Sequence, residues 1–213
     1  MQTPKQWYSE VVGRKVAEAL RKNNFHAEYV ATKEEARQRA FAIIGDSRSI
    51  GVGGSMTIRE LGIIEQLEKE GREILDATLP GFKPEEDILI RHRQLTCDCF
   101  LCSTNAVTLD GKLVNVDSTG NRVGAMAFGP RKVVVIAGIN KVVKDIEAAL
   151  ERIEMYVAPL NNKRMNKPNP CTQSGICQDC PNGTRICNIT TIIRKNPPRS
   201  NINVLIVGEE LGY

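Results

Sequence analysis

The 213-residue sequence is poor in aromatic residues and histidine, and it lacks any apolar run long enough to cross a membrane. No aromatic residue lies between Asn161 and Ser200, although that segment carries seven cations and one anion. Proteins that bind nucleic acid without sequence preference use aromatic rings that stack on the bases, so we expect no nucleic-acid partner. The first residues contain no apolar stretch typical of a signal peptide. Since no run approaches about 18 apolar residues, we expect a cytoplasmic protein without a membrane span.

The composition is that of a globular protein, but the charge is unevenly placed. Hydrophobic residues make up 41% of the chain and charged residues 25%, as in ordinary soluble domains. Segment 161–200 has a net charge of +6 within a chain of net charge +4, so the remainder is at −2. We divide the chain into an N-terminal helix–strand–helix part, a core, a basic cysteine-rich metal-binding segment and a last core strand, at residues 1–48, 49–160, 161–200 and 201–213.

Capping patterns predict where helices begin. Thr3-Pro4-Lys5-Gln6 places threonine as N-cap, proline at the first helical position and glutamine three residues after the cap, which predicts a long first helix. A strand is expected over Phe25–Ala31 and a second helix after it. Thr57-Ile58-Arg59-Glu60 repeats the capping pattern after a glycine-rich turn, and apolar residues at helical spacing predict a single helix that ends at Gly71.

The stretch from Asn105 to Lys141 combines short strands with small polar residues. Ala106–Thr108 and Lys112–Val116 flank an Asp-Gly pair, which predicts a hairpin. The unbroken apolar run Lys132–Ala137 predicts a strand that is buried on both faces. Asn140 is placed to cap the helix that follows. A second buried strand near the C-terminus, residues 203–208, returns to the main sheet.

Two polar segments at strand ends predict a pocket for a small anion, either a carboxylate or a phosphate. Glycine lets a backbone approach a ligand, and the first amides of a helix attract anions. Arg122 would pair with the anion while Asn105 and Asn121 donate hydrogen bonds to it. Purely structural turns remain the alternative, and no Walker motif is present. The candidate ligand-binding residues are Gly53, Gly54, Ser55, Thr57, Asn105, Asp117, Gly120, Asn121 and Arg122.

The central stretch, TNAVTLDGKLVNVDSTGNRVGAMAFGPRKVVVIAGINKVV, closely resembles the signature of the LUD (lactate-utilisation) domain family, to which LutC-type proteins belong. The resemblance extends over nearly the whole chain and implies an α/β fold with a mostly parallel sheet flanked by helices. That fold is similar to the ribose-5-phosphate isomerase and CoA-transferase group, whose phosphate loop the turn at Gly53 resembles. A small cysteine-rich insertion near the C-terminus is added to it, and a fold by itself does not fix a function.

Four of the seven cysteines form a close group with the spacing C-x5-C-x2-C-x6-C, at Cys171, Cys177, Cys180 and Cys187. Thiolates this close together in a Gly- and Pro-containing loop indicate a soft metal. An iron–sulfur cluster, in the [4Fe–4S] form, accepts one C-x2-C pair with outlying cysteines and a Cys-Pro step. Structural zinc prefers two C-x2-C pairs and is the alternative; a third possibility is that no metal binds.

Cys97, Cys99 and Cys102 precede the central stretch within a predicted strand. Strand alternation would place the first two on one face and Cys102 on the other, so we interpret them as core residues. His26 and His92 have no partner at metal-ligand spacing.

The resemblance implies a protein of lactate or related organic-acid utilisation that works with iron–sulfur and oxidoreductase subunits. In this reading it is an electron-transfer or accessory subunit, in which the four-cysteine site passes or senses electrons. The alternatives are a stand-alone enzyme acting on a sugar phosphate or an acyl-CoA, and a regulatory or binding domain with a structural zinc site. No nucleophile–base pair stands out, so the sequence assigns no catalytic residue.

Overall fold

The computed structural model describes residues 2–181 and 183–213, which form two β-sheets with flanking helices. The helices are α1 (Pro4–Lys22), α2 (Lys33–Ile44), α3 (Met56–Glu60), α4 (Ile63–Lys69), α5 (Pro84–Gln94), α6 (Asn121–Ala127), α7 (Ile146–Arg152), α8 (Ala158–Arg164) and α9 (Cys171–Ser174). The strands are β1 (His26–Val30), β2 (Ser49–Val52), β3 (Glu73–Leu75), β4 (Cys99–Cys102), β5 (Ala106–Thr108), β6 (Leu113–Asp117), β7 (Lys132–Gly138), β8 (Val142–Val143), β9 (Ile189–Ile193) and β10 (Ile202–Val207).

The main sheet has six strands, all parallel, in the order β1-β10-β7-β4-β2-β3. Its neighbouring strands β7 and β10 are the two apolar runs that the sequence predicted to be buried. Val133 and Val135 face one hydrophobic core, and Val134 and Ile136 face the other, as the two-residue period of a strand requires. The predicted α/β fold class with a mostly parallel sheet is therefore confirmed.

A second, four-stranded sheet has the order β8-β5-β6-β9 and carries the predicted hairpin. Its strand β9 comes from the cysteine-rich segment and pairs antiparallel with β6, from Leu113 opposite Ile193 to Asp117 opposite Ile189. This strand was not predicted from the sequence, because its β-branched residues lie among prolines, cysteines and cations. The pairing fixes the cysteine-rich segment to the edge of the hairpin.

The helices cover both faces of the main sheet. Helices α1 and α6 and the second sheet pack on one face, and α2, α3 and α4 pack on the other. Helix α7 covers the far side of the second sheet, where Ala149 and Ile153 contact Ala106 and Val114. The order of layers is helix, main sheet, second sheet, helix, so the hairpin strands β5 and β6 lie inside the molecule, while β9 is largely exposed at the edge.

The first helix begins as its capping pattern predicted. The Thr3 side chain accepts a hydrogen bond from Gln6 N at 3.2 Å, and Gln6 Oε1 accepts one from Thr3 N at 2.9 Å. The helix buries Val16 and Leu20 against the main sheet. Within residues 2–181 and 183–213, no helix is both long enough and apolar enough to cross a membrane.

The prediction of one helix from the Thr57 cap to Gly71 was wrong. Ser55 caps α3, and Gly62 separates α3 from α4 with a left-handed φ of 60°. Thr57 is fully buried, and its hydroxyl donates to Leu211 O at 3.3 Å instead of capping a helix. A long-range partner on the last residues of the chain therefore replaces the local cap.

The predicted helix over Asn140–Glu154 was also wrong at its start. A 3₁₀ turn and the short β8 follow β7, and Asp145 caps α7. The Asn140 side chain instead accepts from Leu211 N at 3.1 Å and donates to Gly212 O at 3.2 Å. Beyond α7, a π-helical turn at residues 153–157 lets the helix continue into α8, with Pro159 in its first turn.

The three cysteines around β4 are core residues, as interpreted, and Cys99 and Cys102 face opposite sides as predicted, but the predicted side of Cys97 was wrong. Cys97 lies before the strand and shares one hydrophobic core with Cys102, whereas Cys99 faces the other core. All three are at most 2% exposed. Burial raises the pKa of Cys97 to about 11 and the pKa values of Cys99 and Cys102 to about 12, so these side chains remain protonated thiols.

Candidate functional site

A polar cavity of about 110 Å³ lies where three parallel strands end. The turn after β2 supplies Gly53 and Gly54, the segment after β4 supplies residues 103–105, and the turn after β7 supplies Lys141. Ligand sites in open α/β sheets lie at the carboxyl ends of the strands, and this cavity has that position. Asn161 of α8 and the C-terminal Tyr213 close it on the other side.

The glycine-rich turn approaches its neighbours too closely for larger residues. A Cβ at Gly53 would lie 3.1 Å from Cys102 Cβ and 3.3 Å from Arg122 Cδ. Gly54 has a φ of +66°, and a Cβ there would lie 2.9 Å from Thr78 Cγ2. Both glycines and Ser55 line the cavity as the sequence predicted, although the Ser55 side chain is engaged as the α3 cap. The turn thus lines one side of the cavity with backbone atoms.

Of the two cationic side chains among the described residues that line this cavity, Lys141 and Arg122, Lys141 forms fewer hydrogen bonds with the protein. The side chain is buried, at 3% exposure, and its Nζ lies 3.0 Å from Thr57 Oγ1 and 3.1 Å from Ser103 Oγ. No carboxylate within residues 2–181 and 183–213 forms an ion pair with it. A buried cation without a carboxylate partner is costly, and an anion in the cavity would offset that cost.

Burial lowers the pKa of Lys141 from its ordinary value of 10.5 to about 7. The positive charges of Arg152 and Arg122 contribute to this lowering of the pKa, and Glu60 acts in the opposite direction. Desolvation disfavours the charged amine, and neighbouring cations do the same. Near neutral pH the amine is therefore divided between its charged and neutral forms.

Arg122, the predicted anion partner, directs its donors at the protein itself. Its Nε donates to Asp117 Oδ2 at 2.9 Å and its Nη1 donates to Asn115 Oδ1 at 2.6 Å. The remaining hydrogen bonds reach Ser103 O, Val116 O and Asn105 Oδ1, at 3.3, 2.8 and 3.3 Å. A guanidinium has five N–H groups, and these five bonds use all of them. Arg122 clamps the ends of β4 and β6 together and lines the cavity with its apolar stem and its charge.

Asp117, Gly120 and Asn121 form the connection between β6 and α6. Asp117 Oδ1 accepts from Gly120 N at 3.0 Å, and Gly120 has a left-handed φ of 94°. Asn121 donates to Gln94 Oε1 at 2.8 Å and accepts from Arg91 Nη1 at 3.0 Å. The structure places these three residues on the wall of an outer cleft or behind it, and not in the inner cavity with Lys141.

Asn105 lies at the inner cavity with one side of its amide engaged. Its Oδ1 accepts from Val116 N at 2.8 Å and from Arg122, which fixes the amide orientation. Within the described residues its Nδ2 group has no hydrogen-bond acceptor, and Asn105 lines the cavity. The structure thus places Asn105 at the cavity, and its role as a donor to a ligand stays a prediction.

The outer cleft, of about 700 Å³, continues from the inner cavity through Gly53, Gly54, Arg122 and Asn161. Five cations line it, and Asp117 is the one carboxylate among its described lining residues. The cations are Arg91, Arg122, Arg164, Lys167 and Arg185. Such an excess of positive charge attracts anionic ligands.

The four cysteines of the C-terminal segment surround one small cavity of about 20 Å³. Cys171 and Cys180 are buried, and Cys177 and Cys187 are partly exposed. Burial, followed by the neighbouring Cys177 thiol, raises the pKa of Cys187 to about 11, and burial and the same group of thiols also raise the pKa of Cys171. Within residues 2–181 and 183–213, no three Cys, His, Asp or Glu side chains stand close enough to hold a metal ion directly. The structure therefore brings the predicted ligands to one place, but not in ligand geometry.

Backbone contacts hold the cysteine segment in this shape. Arg185 donates to Cys187 O at 2.9 Å and to Cys180 O at 3.2 Å, and it forms an ion pair with Asp179. Cys177 N donates to Glu154 O at 3.0 Å. The buried Asn169 joins Asn162 and Thr184 at 2.6 to 3.0 Å. Four soft sulfur donors on a hydrogen-bonded loop match the donor set that iron–sulfur clusters and zinc require.

The two sites are neighbours. A cavity of about 30 Å³ between them is lined by Asn105 and Asn161 on the side of the inner cavity and by Cys187 on the other. Val157 and Ile186 line the same cavity. This small cavity therefore lies between Cys187 and two residues of the polar cavity.

Sequence reasoning missed Lys141, Ser103, Asn115 and Tyr213 as parts of this region. The available signal for Lys141 was its position directly after a fully buried strand, where a charged residue reaches the strand-end edge of the sheet. Asn115 is fully buried, and its Nδ2 has no hydrogen-bond partner within the described residues. A buried asparagine in an otherwise apolar strand was a second usable signal.

Comparison with known proteins agrees with this architecture. The family model described as "LUD domain" matches residues 13–207. A DUF162 family protein from Deinococcus radiodurans superposes with a TM-score of 0.53 at 12% identity, covering 93% of this chain and 98% of that one. Two further structures match with lower scores. The structure of eIF2B delta from Chaetomium thermophilum has a TM-score of 0.36 at 18% identity, covering 56% of this chain and 50% of that one. Ribose 5-phosphate isomerase from Plasmodium falciparum has a TM-score of 0.32 at 17% identity, covering 53% of this chain and 52% of that one.

A search of curated proteins gives no match. The match to the family model covers well over half of the chain, from the first helix to the last strand of the main sheet. The Deinococcus structure, which is matched over almost its full length, shares the overall fold. The chain therefore belongs to the LUD domain family.

Proposed function

We propose that this protein is an electron-transfer or accessory subunit in the oxidation of lactate or a related organic acid. It would be a LutC-like protein whose C-terminal extension holds an iron–sulfur cluster beside a pocket for the acid. The observation that carries the proposal is the convergence of Cys171, Cys177, Cys180 and Cys187 on one small cavity next to the polar cavity. Membership of the LUD family supports the class of substrate.

The four cysteines would supply the ligands of the cluster. When bound, an iron–sulfur cluster accepts and returns single electrons. The surroundings of the loop suit a centre of net negative charge, because segment 161–200 carries seven cations and one anion. Arg185, which donates to the carbonyls of Cys180 and Cys187, brings a positive charge to the cysteine loop.

The polar cavity would hold the carboxylate of the acid. Lys141 provides the positive charge, and Asn105 Nδ2 provides a neutral donor on the same wall. Arg122 and Arg152 add positive potential without giving up their protein hydrogen bonds. This assignment moves the anion-binding role from Arg122, whose donors are all used, to Lys141.

Partner subunits enter the proposal because a single cluster moves one electron at a time, whereas oxidation of a hydroxy acid to an oxo acid removes two. A second redox protein must then take up or deliver electrons at the surface. The cationic segment around the cysteine loop offers an acidic partner a complementary surface. Lactate dissolves in the cytoplasm, so the proposal places the protein there.

One observation favours a second candidate function. The outer cleft of about 700 Å³ is far larger than lactate needs, and it is lined by five cations. A sugar phosphate or an acyl-CoA would fit a cleft of this charge, with its reacting end in the inner cavity. In that case the protein is a stand-alone enzyme, and the cysteine loop, with zinc in place of a cluster, has a purely structural role.

Anaerobic purification followed by a visible absorption spectrum and by iron, sulfide and zinc analysis tests the proposal. We expect a brown protein with a broad band near roughly 400 nm, as iron–sulfur proteins show. Cys177→Ser should lose the colour and the iron, and Cys97→Ser, a matched change at a core cysteine, should keep both. A colourless protein with one zinc would favour a structural site, and a protein with neither metal would remove the metal centre from the proposal.

A further inference from the structure

Lys141 has one unused position on its side-chain nitrogen, and that position opens on the inner cavity. Two positions are taken by Thr57 Oγ1 and Ser103 Oγ, at 3.0 and 3.1 Å. The hydrogens of these hydroxyls are directed to other acceptors, Leu211 O and Thr104 O, each at 3.3 Å. Both hydroxyls therefore accept hydrogen bonds from Nζ, and they do so from either protonation state of the amine.

The neutral form of this amine has a free lone pair. Two N–H groups of a neutral amine satisfy Thr57 and Ser103, which leaves the lone pair at the third position. No acidic side chain within residues 2–181 and 183–213 pairs with Nζ to keep it charged, and Arg152 and Arg122 both favour the neutral state. A desolvated lysine beside other cations is the usual form of an amine nucleophile that attacks carbonyl groups.

We propose that Lys141 is a carbonyl-reactive amine that forms a Schiff base with a small 2-oxo acid bound in the inner cavity. The choice of a 2-oxo acid rests on the proposed function, since oxidation of a 2-hydroxy acid gives this product. The cavity, of about 110 Å³, suits a molecule of three or so carbon atoms. Its positive surroundings suit the carboxylate of that molecule, and Asn105 Nδ2 offers a donor to it.

The step balances with the groups present. The Nζ lone pair forms a bond to the carbonyl carbon, the carbon–oxygen bond breaks, and the oxygen leaves as water with both hydrogens of the amine. One further proton gives the iminium ion. The hydroxyls of Thr57 and Ser103 touch the nitrogen and can relay these protons. No oxidant, reductant or metal takes part in this step.

Reductive trapping tests the inference on the full-length protein. Pyruvate and, separately, glyoxylate would be added with sodium cyanoborohydride, followed by intact mass and peptide mapping. For pyruvate we expect one adduct per chain, on Lys141, with the mass of pyruvic acid less one oxygen atom. Lys141→Arg should abolish the adduct, and Lys132→Arg, at the opposite end of β7, should leave it unchanged. L-Lactate has no carbonyl and should protect Lys141 by competition.

The wild-type peptide map decides the outcome even where Lys141→Arg fails to fold. Absence of an adduct on Lys141 with both acids, or modification spread over the exposed lysines, would overturn the inference. Calorimetric titration with L-lactate and metal analysis of the same sample separate this failure from failure of the proposed function. A protein that binds lactate and iron but gives no adduct leaves the proposed function in place.

Discussion

The two groups of cysteines in this chain show how surroundings decide what a thiol does. Cys97, Cys99 and Cys102 lie in or beside a strand of the main sheet, at most 2% exposed, among apolar side chains of two hydrophobic cores. Cys171, Cys177, Cys180 and Cys187 lie on a hydrogen-bonded loop and share one small cavity. The first group is held apart by strand geometry, while the loop brings the second group together.

Packing energy explains the difference. A strand between two helical layers is stabilised by the apolar surface that it buries, and a cysteine there contributes as a small hydrophobe. The cysteine loop packs Cys187 against a small hydrophobic cluster, and its shape also depends on Arg185, Asn169 and backbone hydrogen bonds. Metal binding by such a loop would add stability that its own packing does not supply.

The largest expected effect comes from replacing one cysteine of each group by serine, in two separate variants. Cys180→Ser should remove the bound metal completely and lower the stability of the loop, because binding of a structural metal is worth on the order of 10 kcal/mol. Cys99→Ser should leave the metal content unchanged. Metal analysis and hydrogen exchange over residues 169–188 would measure both. Equal metal loss in the two variants would contradict the distinction between core cysteines and loop cysteines.

The hydrogen bonds by which Arg122 joins the ends of β4 and β6 should be nearly as important for stability. Arg122→Met removes five hydrogen bonds and leaves Asp117, whose side chain is 9% exposed, without its ion-pair partner. Breaking a buried pair from one side typically costs about 3–5 kcal/mol, and we expect a loss of this size in urea unfolding. Arg131→Met, at an exposed arginine, is the control. A loss below about 1 kcal/mol would show that the clamp is not structural.

The pH dependence of stability should reveal the lowered pKa of Lys141. Its pKa in the folded protein, about 7, is below the ordinary value of 10.5. Between these values the unfolded chain binds more protons, so the free energy of unfolding should rise with pH from about 7 to 10, at up to about 1.4 kcal/mol per pH unit. Lys141→Met should remove this part of the slope.

Chemical denaturation at several pH values measures the effect of Lys141. Lys132→Met is the matched control at the start of the same strand and should behave like the wild type. Parallel pH profiles for wild type and Lys141→Met would contradict the assignment of a neutral, buried amine.

The smallest effect is expected within the core group itself. Cys99→Ala removes one buried sulfur atom and should cost about 1 kcal/mol, measured by thermal unfolding. In the folded, metal-free protein, a thiol reagent should label Cys177 and Cys187 well before Cys97, Cys99 and Cys102. Labelling of all seven at similar rates would remove the distinction in surroundings on which the comparison rests.

Sequence reasoning succeeded where one local pattern decided the structure. The apolar runs of β7 and β10 could only be buried strands, and the Asp-Gly pair gave the hairpin. The capping pattern at Thr3 predicted α1 because both partners are three residues apart. Gly53, Gly54 and Asn105 line the same cavity because they follow two strands, β2 and β4, of one parallel sheet.

Sequence reasoning failed where a distant partner competed with a local one. Thr57 and Asn140 both had the pattern of helix caps, but each bonds the C-terminal residues 211–212 instead. Arg122 was taken for a ligand donor because its five acceptors come from residues scattered along 103–117. The depressed pKa of Lys141 depends on burial and on Arg152, neither of which has a local sequence signal.

X-ray absorption at the iron and zinc edges of anaerobically purified protein tests the central claim most directly, because it identifies the metal and its ligand atoms together. We predict iron with sulfur ligands and iron–iron scattering in the wild type, absent in Cys180→Ser and unchanged in Cys99→Ser. Zinc bound by four sulfur atoms, or no metal in protein purified under these conditions, would contradict the claim that the cysteine loop carries an iron–sulfur cluster.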